Sequence, residues 1–544
     1  MRWLQRKKIS RRHLLRGITG TSVVAGAAVA LPISERKSQL VGRASASPPA
    51  PHYTFMHGVA SGDPLPTSVI LWTRVTPEPG AYPGSNLGPA TEVAWEVATD
   101  PDFHTIVRAG SLMTSVTADH TVHVDPFGLE PATTYFYRFH ALGETSPVGT
   151  TRTAPAADAT PEQLSLAVCS CANMESGYFQ AYQDIADNAA HFDAVVHMGD
   201  YLYEFASGEY TGKHGITRPH EPRNALVTLS DYRQRYGAYR RDPSLQAAHA
   251  ALPWVVTWDD HEIADNAWSG GASNHGEGQG DWAARRAAAM QAYLEWLPVR
   301  GGAPSEGGHI YRTLSFGQLA DLHMLDLRSY RSAPGVFHPA QRGDTERTIM
   351  GAEQFQWLRQ RLESSTARWD VIGTSVMMAP LNLNPLDIGI AGVVADMVGM
   401  DAAGTPVNLD QWDGYEADRL KLLSALEGHT LFLTGDIHSE WANEIHHAGR
   451  TVAAELVCSS ISAANVDDVL GLPQGSPVSR AAERVVCGHN PHVKHVNLDV
   501  HGYASVRIDE HSCQMTWWRV EDVERSGAAV HQGPTLSYDG ASLG

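Results

Sequence analysis

Four short apolar runs in this chain break off into turns crowded with ligand-type side chains. Leu164-Ser-Leu-Ala-Val168 runs into Cys169-Ser-Cys171, and Asp193-Ala-Val-Val-His-Met198 into Gly199-Asp-Tyr-Leu-Tyr-Glu204. Trp254-Val-Val-Thr-Trp258 runs into Asp259-Asp-His-Glu262, and Thr430-Leu-Phe-Leu-Thr434 into Gly435-Asp-Ile-His438. Continuous apolar runs of this length predict strands of a sheet buried on both faces. Open α/β sheets bind ligands beyond the carboxyl ends of their strands. The four runs are therefore expected to deliver a thiol, several carboxylates, imidazoles and a phenol to one edge. Such a collection is too polar to be buried unpaired, and metal is the simplest partner for it.

From Gln163 onward such runs alternate with helical spacing, which predicts helices over Phe179–Ala189, Asp281–Trp296, Gly351–Ser364 and Asp418–Leu426. Strand–helix alternation argues an α/β catalytic domain, set here at 162–525. Residues 52–155 have another rhythm. Val69–Val75, Glu92–Val97, Thr121–Val124 and Thr134–Phe139 are short strand-like runs punctuated by Pro, Gly and Asp. That rhythm predicts a small antiparallel β-sandwich, with Ala154–Pro161 as a linker. Residues 526–544 are expected to form a C-terminal tail. The Gly- and His-rich loops Ser207–Glu221 and Ser269–Gly280 lie beside the motif strands. Long loops in such places serve as substrate walls or lids.

The first residues look like an export signal rather than part of the fold. Basic residues cluster from Arg2 to Arg16, a small-residue apolar run spans Gly17–Pro32, and Ala44-Ser-Ala46 resembles a cleavage site, giving a segment 1–46. Ser10-Arg-Arg-His-Leu-Leu15 resembles the twin-arginine pattern, with His13 a less usual member. The apolar run is shorter than the roughly 18 to 20 residues of a membrane span, so stable membrane insertion is not expected. The twin-arginine machinery carries folded proteins, which suits a chain that acquires metal before leaving the cytoplasm. The expected location is therefore periplasmic or extracellular.

The whole chain carries 41 Lys and Arg against 60 Asp and Glu, a formal charge of −19. Cleavage after Ala46 removes ten basic residues and one acid, leaving 31 against 59, or −28. Such a surface repels phosphate backbones, so nucleic acid is not an expected partner. Five cysteines in an exported chain leave at least one unpaired. Cys171 is the candidate metal-bound thiolate, Cys169 points to the opposite strand face, and Cys458, Cys487 and Cys513 allow one disulfide of undetermined pairing.

Each cluster has its own chemistry. Asp200 has two oxygens and can bridge two cations, and Tyr203 can fold back over the same turn as a hard phenolate suited to ferric iron. Asp260 can hold a second metal, with His261 beside it as a proton donor to a leaving alkoxide. Asp259, Glu262 and Asn266 are candidate further ligands, acceptors behind the ligands, or ion-pair partners. Asp436 and His438 can each reach a metal. A Cys171 thiolate shifts the site towards iron or zinc. Nucleophilic cysteine catalysis is the rival reading, but it leaves the many carboxylates unexplained. Two metals roughly 3.5 to 4 Å apart clamp the attacking and leaving oxygens of an in-line displacement at phosphorus, and one of them makes hydroxide available.

These motifs together resemble the alkaline phosphatase D (PhoD-like) phosphatases and phosphodiesterases of the calcineurin-like metallophosphoesterase superfamily. The resemblance rests on Gly58-Val-Ala-Ser-Gly-Asp-Pro64, Ile70-Leu-Trp-Thr-Arg-Val75, Ser170-Cys-Ala-Asn173, Gly199–Glu204, Thr257–Glu262, Leu325-Asp-Leu-Arg-Ser-Tyr-Arg331, Trp412-Asp-Gly-Tyr415, Thr434–His438 and Asn490-Pro-His492 in this order. It implies a four-layer α/β/β/α sandwich behind a fibronectin III-like β-sandwich. It implies ferric iron held by Cys171, Asp200, Tyr203 and His438, and calcium held by Asp200, Asp260 and Asp436, with zinc, manganese or magnesium as alternatives. His261 takes the place of the catalytic histidine. Arg328 and Arg331 are candidates to fork phosphate oxygens, against a plain ion pair with Asp326 or another acid. His492 is a candidate pocket cap, and Trp412 and Tyr415 read as packing or substrate wall.

The expected activity is secreted, metal-dependent hydrolysis of phosphate monoesters and diesters by a metal-activated hydroxide. A phospholipase D-type phosphodiesterase acting on lipid head groups is the nearest alternative. A non-enzymatic wall or matrix protein that binds through the front segment is the alternative from another class.

Overall fold

The computed structural model describes residues 53–334, 343–381, 408, 410–426 and 429–544. The expected export segment 1–46 lies outside the described residues. The front part of the chain forms β1 (Val59–Leu65), β2 (Ser68–Arg74), β3 (Thr91–Ala98), β4 (Ile106–Thr114), β5 (Thr121–Val124), β6 (Thr134–Ala141), β7 (Glu144–Thr145) and β8 (Gly149–Arg152). Next come β9 (Leu164–Cys169), β10 (Ala194–His197) and β11 (Pro253–Val256). A second group comprises β12 (Arg312–Phe316), β13 (Ala320–Met324), β14 (Trp369–Thr374), β15 (His429–Thr434), β16 (Glu440–His447), β17 (Arg450–Val457) and β18 (Val493–Asn497). The chain closes with β19 (His501–Ile508), β20 (Cys513–Val520) and β21 (Val530–Tyr538).

These strands make three sheets. The largest runs β21-β20-β19-β9-β10-β11-β1-β2-β5, the second β12-β13-β14-β15-β17-β16-β18, and the smallest β4-β3-β6-β7 with β8 beside β6. Four of the described helices fall on the stretches where helical spacing predicts them: Gln180–Asp187, Trp282–Trp296, Ala352–Ser364 and Glu416–Ser424. Asp281 caps the second of these by accepting from Ala284 N. The helices at Leu229–Arg240, Pro243–Ala251 and Pro477–His489 are not among the predicted ones. The first carries three arginines and three tyrosines, so its apolar stripe is not visible in the sequence.

The apolar residues sort by face. Leu166, Val168, Val196 and Val255 from the large sheet share one core with Leu322, Val371, Leu433 and Leu456 from the second. The opposite face of the large sheet, with Ala167, Val195 and Trp254, packs against residues of the helices Gln180–Asp187, Leu229–Arg240 and Trp282–Trp296. The opposite face of the second sheet, with Ile372 and Phe432, packs against Leu358, Leu422 and Val486. The near-continuous burial of β9, β10, β11 and β15 results from cover on both sides.

Two stretches are tied into the large sheet. Residues 52–155 do not keep to themselves: β1, β2 and β5 are strands of the large sheet, and β1 pairs in parallel with β11 through Gly62 opposite Trp254. Glycine is required there, because a Cβ on Gly62 would lie 2.2 Å from Pro298 O. Residues 526–544, expected as a tail, contribute β21, which pairs along β20 as the edge strand of the large sheet. All five cysteines are free thiols, so the disulfide allowed among Cys458, Cys487 and Cys513 is absent. Cys458 and Cys513 belong to the core between the large and second sheets, whereas Cys487 packs on the helical side of the second sheet.

Behind β10 and β11 sits a buried aromatic group whose histidines are held neutral. His197 and His249 stack on the Trp254 ring, and their Nε2 atoms lie 3.0 and 2.9 Å from the Tyr182 and Tyr201 hydroxyls. Burial pushes His197 down to about 3 and His249 well below its ordinary value of 6.5. A base with a depressed folded-state value stabilises the fold fully above the unfolded value, and that contribution is lost as pH falls. Urea midpoints should therefore decline as pH drops below about 6.5, each such histidine adding about 1.4 kcal/mol per pH unit. Replacing His249 by Gln should flatten the decline by one proton. An unchanged slope in H249Q would mean that His249 is already protonated in the fold.

Candidate metal centre

The site forms where the ends of β9, β10 and β11 meet the end of β15 from the neighbouring sheet. The turns after β9, β10 and β15 need an unusual backbone. Cys171, Asp200, Asp436 and His438 have φ of 60°, 56°, 64° and 54°. These values lie in the left-handed region that side chains avoid. Strain of this kind persists only where surrounding structure enforces it, and it gathers at functional sites. Gly199 shows why glycine precedes Asp200: its φ is 98°, and a Cβ would lie 2.5 Å from Asp259 Cβ. Cys171 N donates to Gly199 O at 3.2 Å and Ala172 N to Asp200 O at 2.9 Å, which locks the first two turns together.

The donor atoms converge in overlapping groups. Those of Cys171, Asp200 and His438 lie within 4.8 Å of one another, as do those of Asp200, Asp260 and His261, and those of Asp259, Asp260 and Asp436. Tyr203 joins the first group, its hydroxyl donating to Asp200 Oδ2 at 3.1 Å and lying 2.9 Å from His438 Nε2. Asp200 thus stands between two sets of ligands.

The electrostatics of this arrangement are short of positive charge. Burial raises Asp200 well above the usual carboxylate range, and Asp260, Asp259 and Glu262 push it further against the pull of His261. Burial, with Asp259 and Asp410, pushes Asp436 up to about 7. Burial and then Asp200 drive the Cys171 thiol and the Tyr203 phenol upward. Asp260 Oδ1 is buried without a hydrogen-bond partner. Bound cations invert this logic by stabilising every one of these anions. A thiol, a phenol, imidazoles and carboxylates on a bridging aspartate fit a pair of metals.

His261 is held for another task. Its Nδ1 lies 2.7 Å from Glu204 Oε2, while its Nε2 lies 4.0 Å from Asp260 Oδ2. Burial disfavours its charge, but Asp260, Asp200 and Glu204 outweigh that and raise it well above 6.5. Glu204 is fixed by Asp265 N at 2.7 Å and by the Asn274 amide. The sequence pattern does not reveal its role, although Glu204 closes the Gly199–Glu204 motif. Tyr210 and Gln411 go unsignalled as well. Tyr210 O–H lies 3.2 Å from His438 Nδ1, and Gln411 donates to Asp436 Oδ2 at 3.1 Å. Both come from loops without periodicity, so only the fold brings them in.

Several candidates take other places. Glu262 is turned to the backbone, accepting from Tyr201 N at 2.6 Å, Asp259 N at 2.9 Å and Asp200 N at 3.2 Å. Asn266 contributes its N–H to Asp260 and its amide to Asp265. Arg328 is not a free phosphate fork. It is buried, directs Nε and Nη2 to Asp259 at 2.6 and 2.9 Å, and faces Asp410 at 2.8 Å. Arg331 donates to Leu327 O and Asp410. His492 Nε2 lies 2.8 Å from Pro380 O, a bond to the backbone rather than to the cluster. Trp412 donates to Thr374 Oγ1 and Tyr415 to Ser332 O, both as buried packing.

Arg328→Met leaves Asp259 and Asp410 buried without their partner and should cost about 3–5 kcal/mol by urea unfolding. A variant with unchanged stability and only a raised KM would restore the phosphate-binding role.

Known proteins give the centre a family. The model for the PhoD-like phosphatase matches residues 166–517, and that for its N-terminal domain matches residues 42–155. The chain is 36% identical over 542 residues to alkaline phosphatase D of Bacillus subtilis (strain 168), covering 96% of this chain and 86% of that protein. A solved structure of PhoD superposes with a TM-score of 0.79 at 35% identity, covering 91% of this chain and 93% of the other. The chain belongs to the PhoD-like phosphatase family and is a phosphoric ester hydrolase.

Proposed function

We propose that this chain is an exported alkaline phosphatase and phosphodiesterase working through ferric iron and calcium. The observation that carries the reading is the convergence of Cys171, Tyr203 and His438 on Asp200, with Asp260 beside Asp200 and Asp436 beside Asp260. Thiolate and phenolate are the donors that favour iron, and the all-oxygen remainder favours calcium. Cys171, Asp200, Tyr203 and His438 would hold iron, and Asp200, Asp260 and Asp436 calcium. Such a pair, when bound, supplies an acidified water and a clamp for phosphoryl oxygens.

The chain's own groups do the rest. Glu204 accepts from Nδ1–H of His261, which leaves Nε2 as the atom that carries a proton towards the leaving oxygen. Tyr203 packs against that imidazole in a tilted arrangement, with 4.2 Å between ring centres, and limits its rotation. Asn274 and Asp265 keep Glu204 from turning away. The reading includes the four-layer sandwich, the fibronectin III-like front domain, and export by the twin-arginine route, directed by segment 1–46, to act on phosphate esters outside the cytoplasm.

Metal analysis, a visible spectrum and aryl phosphate hydrolysis test it together. The expected result is iron with a tyrosinate or thiolate charge-transfer band, and activity that a calcium chelator abolishes. Asp200→Asn should lose both iron and activity. His261→Gln should keep the metals and the colour while kcat falls about 10²–10⁴-fold. Colourless protein containing only zinc or manganese would remove the roles given to Cys171 and Tyr203. A fully active H261Q would remove His261 from the chemistry.

A further inference from the structure

A second cluster lies on the helix-covered face of the second sheet, in register rather than at a strand end. Asp321 of β13 stands directly beside Asp370 of β14. Side chains directly opposite on neighbouring strands share a face, and like charges placed so repel. His323 lies two residues beyond Asp321 and so points the same way. Its ring is fully buried, with Nε2 3.2 Å from Asp370 Oδ1 and Nδ1 2.9 Å from Thr313 Oγ1. One donor atom from each of Asp321, His323 and Asp370 lies within 4.8 Å of the other two.

Three features leave this cluster short of a cation and of polar partners. Among the described residues, no Lys or Arg pairs with either carboxylate, and the ion-pair partner of Asp370 is His323. The helix Ala352–Ser364 ends beside the cluster, because Ser365, just past its last turn, donates to Asp321 Oδ2 at 3.2 Å. A helix C-terminus adds further negative potential. Thr430, the residue opposite Asp370 on β15, is fully buried, and its Oγ1 has no hydrogen-bond partner. Like Asp370 it faces the helix-covered side, so an orphaned hydroxyl adjoins the carboxylate pair.

We propose that Asp321, His323 and Asp370 form a separate zinc site. One imidazole and two carboxylates are a regular zinc set, with a fourth position left for water or the Ser365 hydroxyl. Thr313 Oγ1 can accept from Nδ1–H, which leaves the Nε2 lone pair for the metal, as outer partners of metal-bound histidines do. A water on that metal would serve Thr430 Oγ1. The ion would tie β13 and β14 to the end of the helix above them, a stabilising role distinct from hydrolysis.

The test is zinc content after dialysis of the full chain against Zn²⁺, with the wild type and two variants compared. The catalytic centre also takes metal, so the difference between proteins is the readout. Wild type should retain about one zinc per chain more than either His323→Gln or the partly exposed Asp321→Asn, and show a zinc-dependent rise in Tm that both variants lack. Aryl phosphate hydrolysis should be the same in all three proteins. Should H323Q not fold, D321N alone decides. Equal zinc content and equal Tm response in wild type and D321N would overturn the proposal and leave His323 as a hydrogen-bond donor to Asp370.

Discussion

Buried carboxylates that face one another without enough positive charge are the constraint on which this structure turns. Asp200, Asp259 and Asp260 are excluded from water and Asp436 is partly so, and among the described residues the cations beside them are Arg328 and His261. Taking several carboxylates out of water costs several kcal/mol for each ion, and bonds to neutral groups do not repay that. The fold therefore assigns the available cations. Arg328 is shared among Asp259, Asp410 and, at 3.5 Å, Asp260. Asp260 shares Arg328 and His261, whereas burial and neighbouring carboxylates leave Asp200 and Asp436 raised.

That constraint explains why the backbone at the strand ends is strained. Cys171, Asp200, Asp436 and His438 reach the centre from turns that double back within a few residues of their strands. Four non-glycine residues in left-handed conformation are the geometric consequence. The strain is held by bonds that lock turn to turn, with Glu262 as the central clamp accepting from three separate N–H groups. A similar device works one layer away. The buried Glu455 accepts from Met378 N, Ala379 N, Thr434 Oγ1 and Asn443 Nδ2, and so fixes the strand end that launches Asp436.

The strand ends are legible in the sequence because burial on both faces leaves an uninterrupted apolar run, and the residues just past such a run sit at a sheet edge. Cys171, Asp200, Asp260, Asp436 and His438 all carry that signal. The partners that orient them do not. Glu204, Tyr210, Asp410 and Gln411 sit in loops, where no period distinguishes a residue turned inward from one turned to solvent. Arg328 is visible but ambiguous, because an arginine two residues from Asp326 does not reveal that Asp259 and Asp410 will enclose it. The register that sets Asp321 beside Asp370 is invisible for the same reason: only the pairing of β13 with β14 creates it. The Leu229–Arg240 helix escapes because its buried face is built from tyrosines and arginines rather than aliphatic residues.

The front of the chain reaches the centre through the same sheet. β1 lies between β2 and β11, and β11 is the strand that ends just before Asp259 and Asp260. Asp63 near the end of β1 is held by Arg312 of β12 and by the backbone N–H of Arg300, which carries the tie across to the second sheet. A separate binding module would leave β11 as a bare edge. Here the front strands instead supply the hydrogen bonds that β11 needs on that side, and an unpaired buried edge would cost the strand its place. The geometry of Asp260 therefore depends on residues far earlier in the chain, and the front segment is part of the scaffold of the centre as much as the strands that carry its ligands.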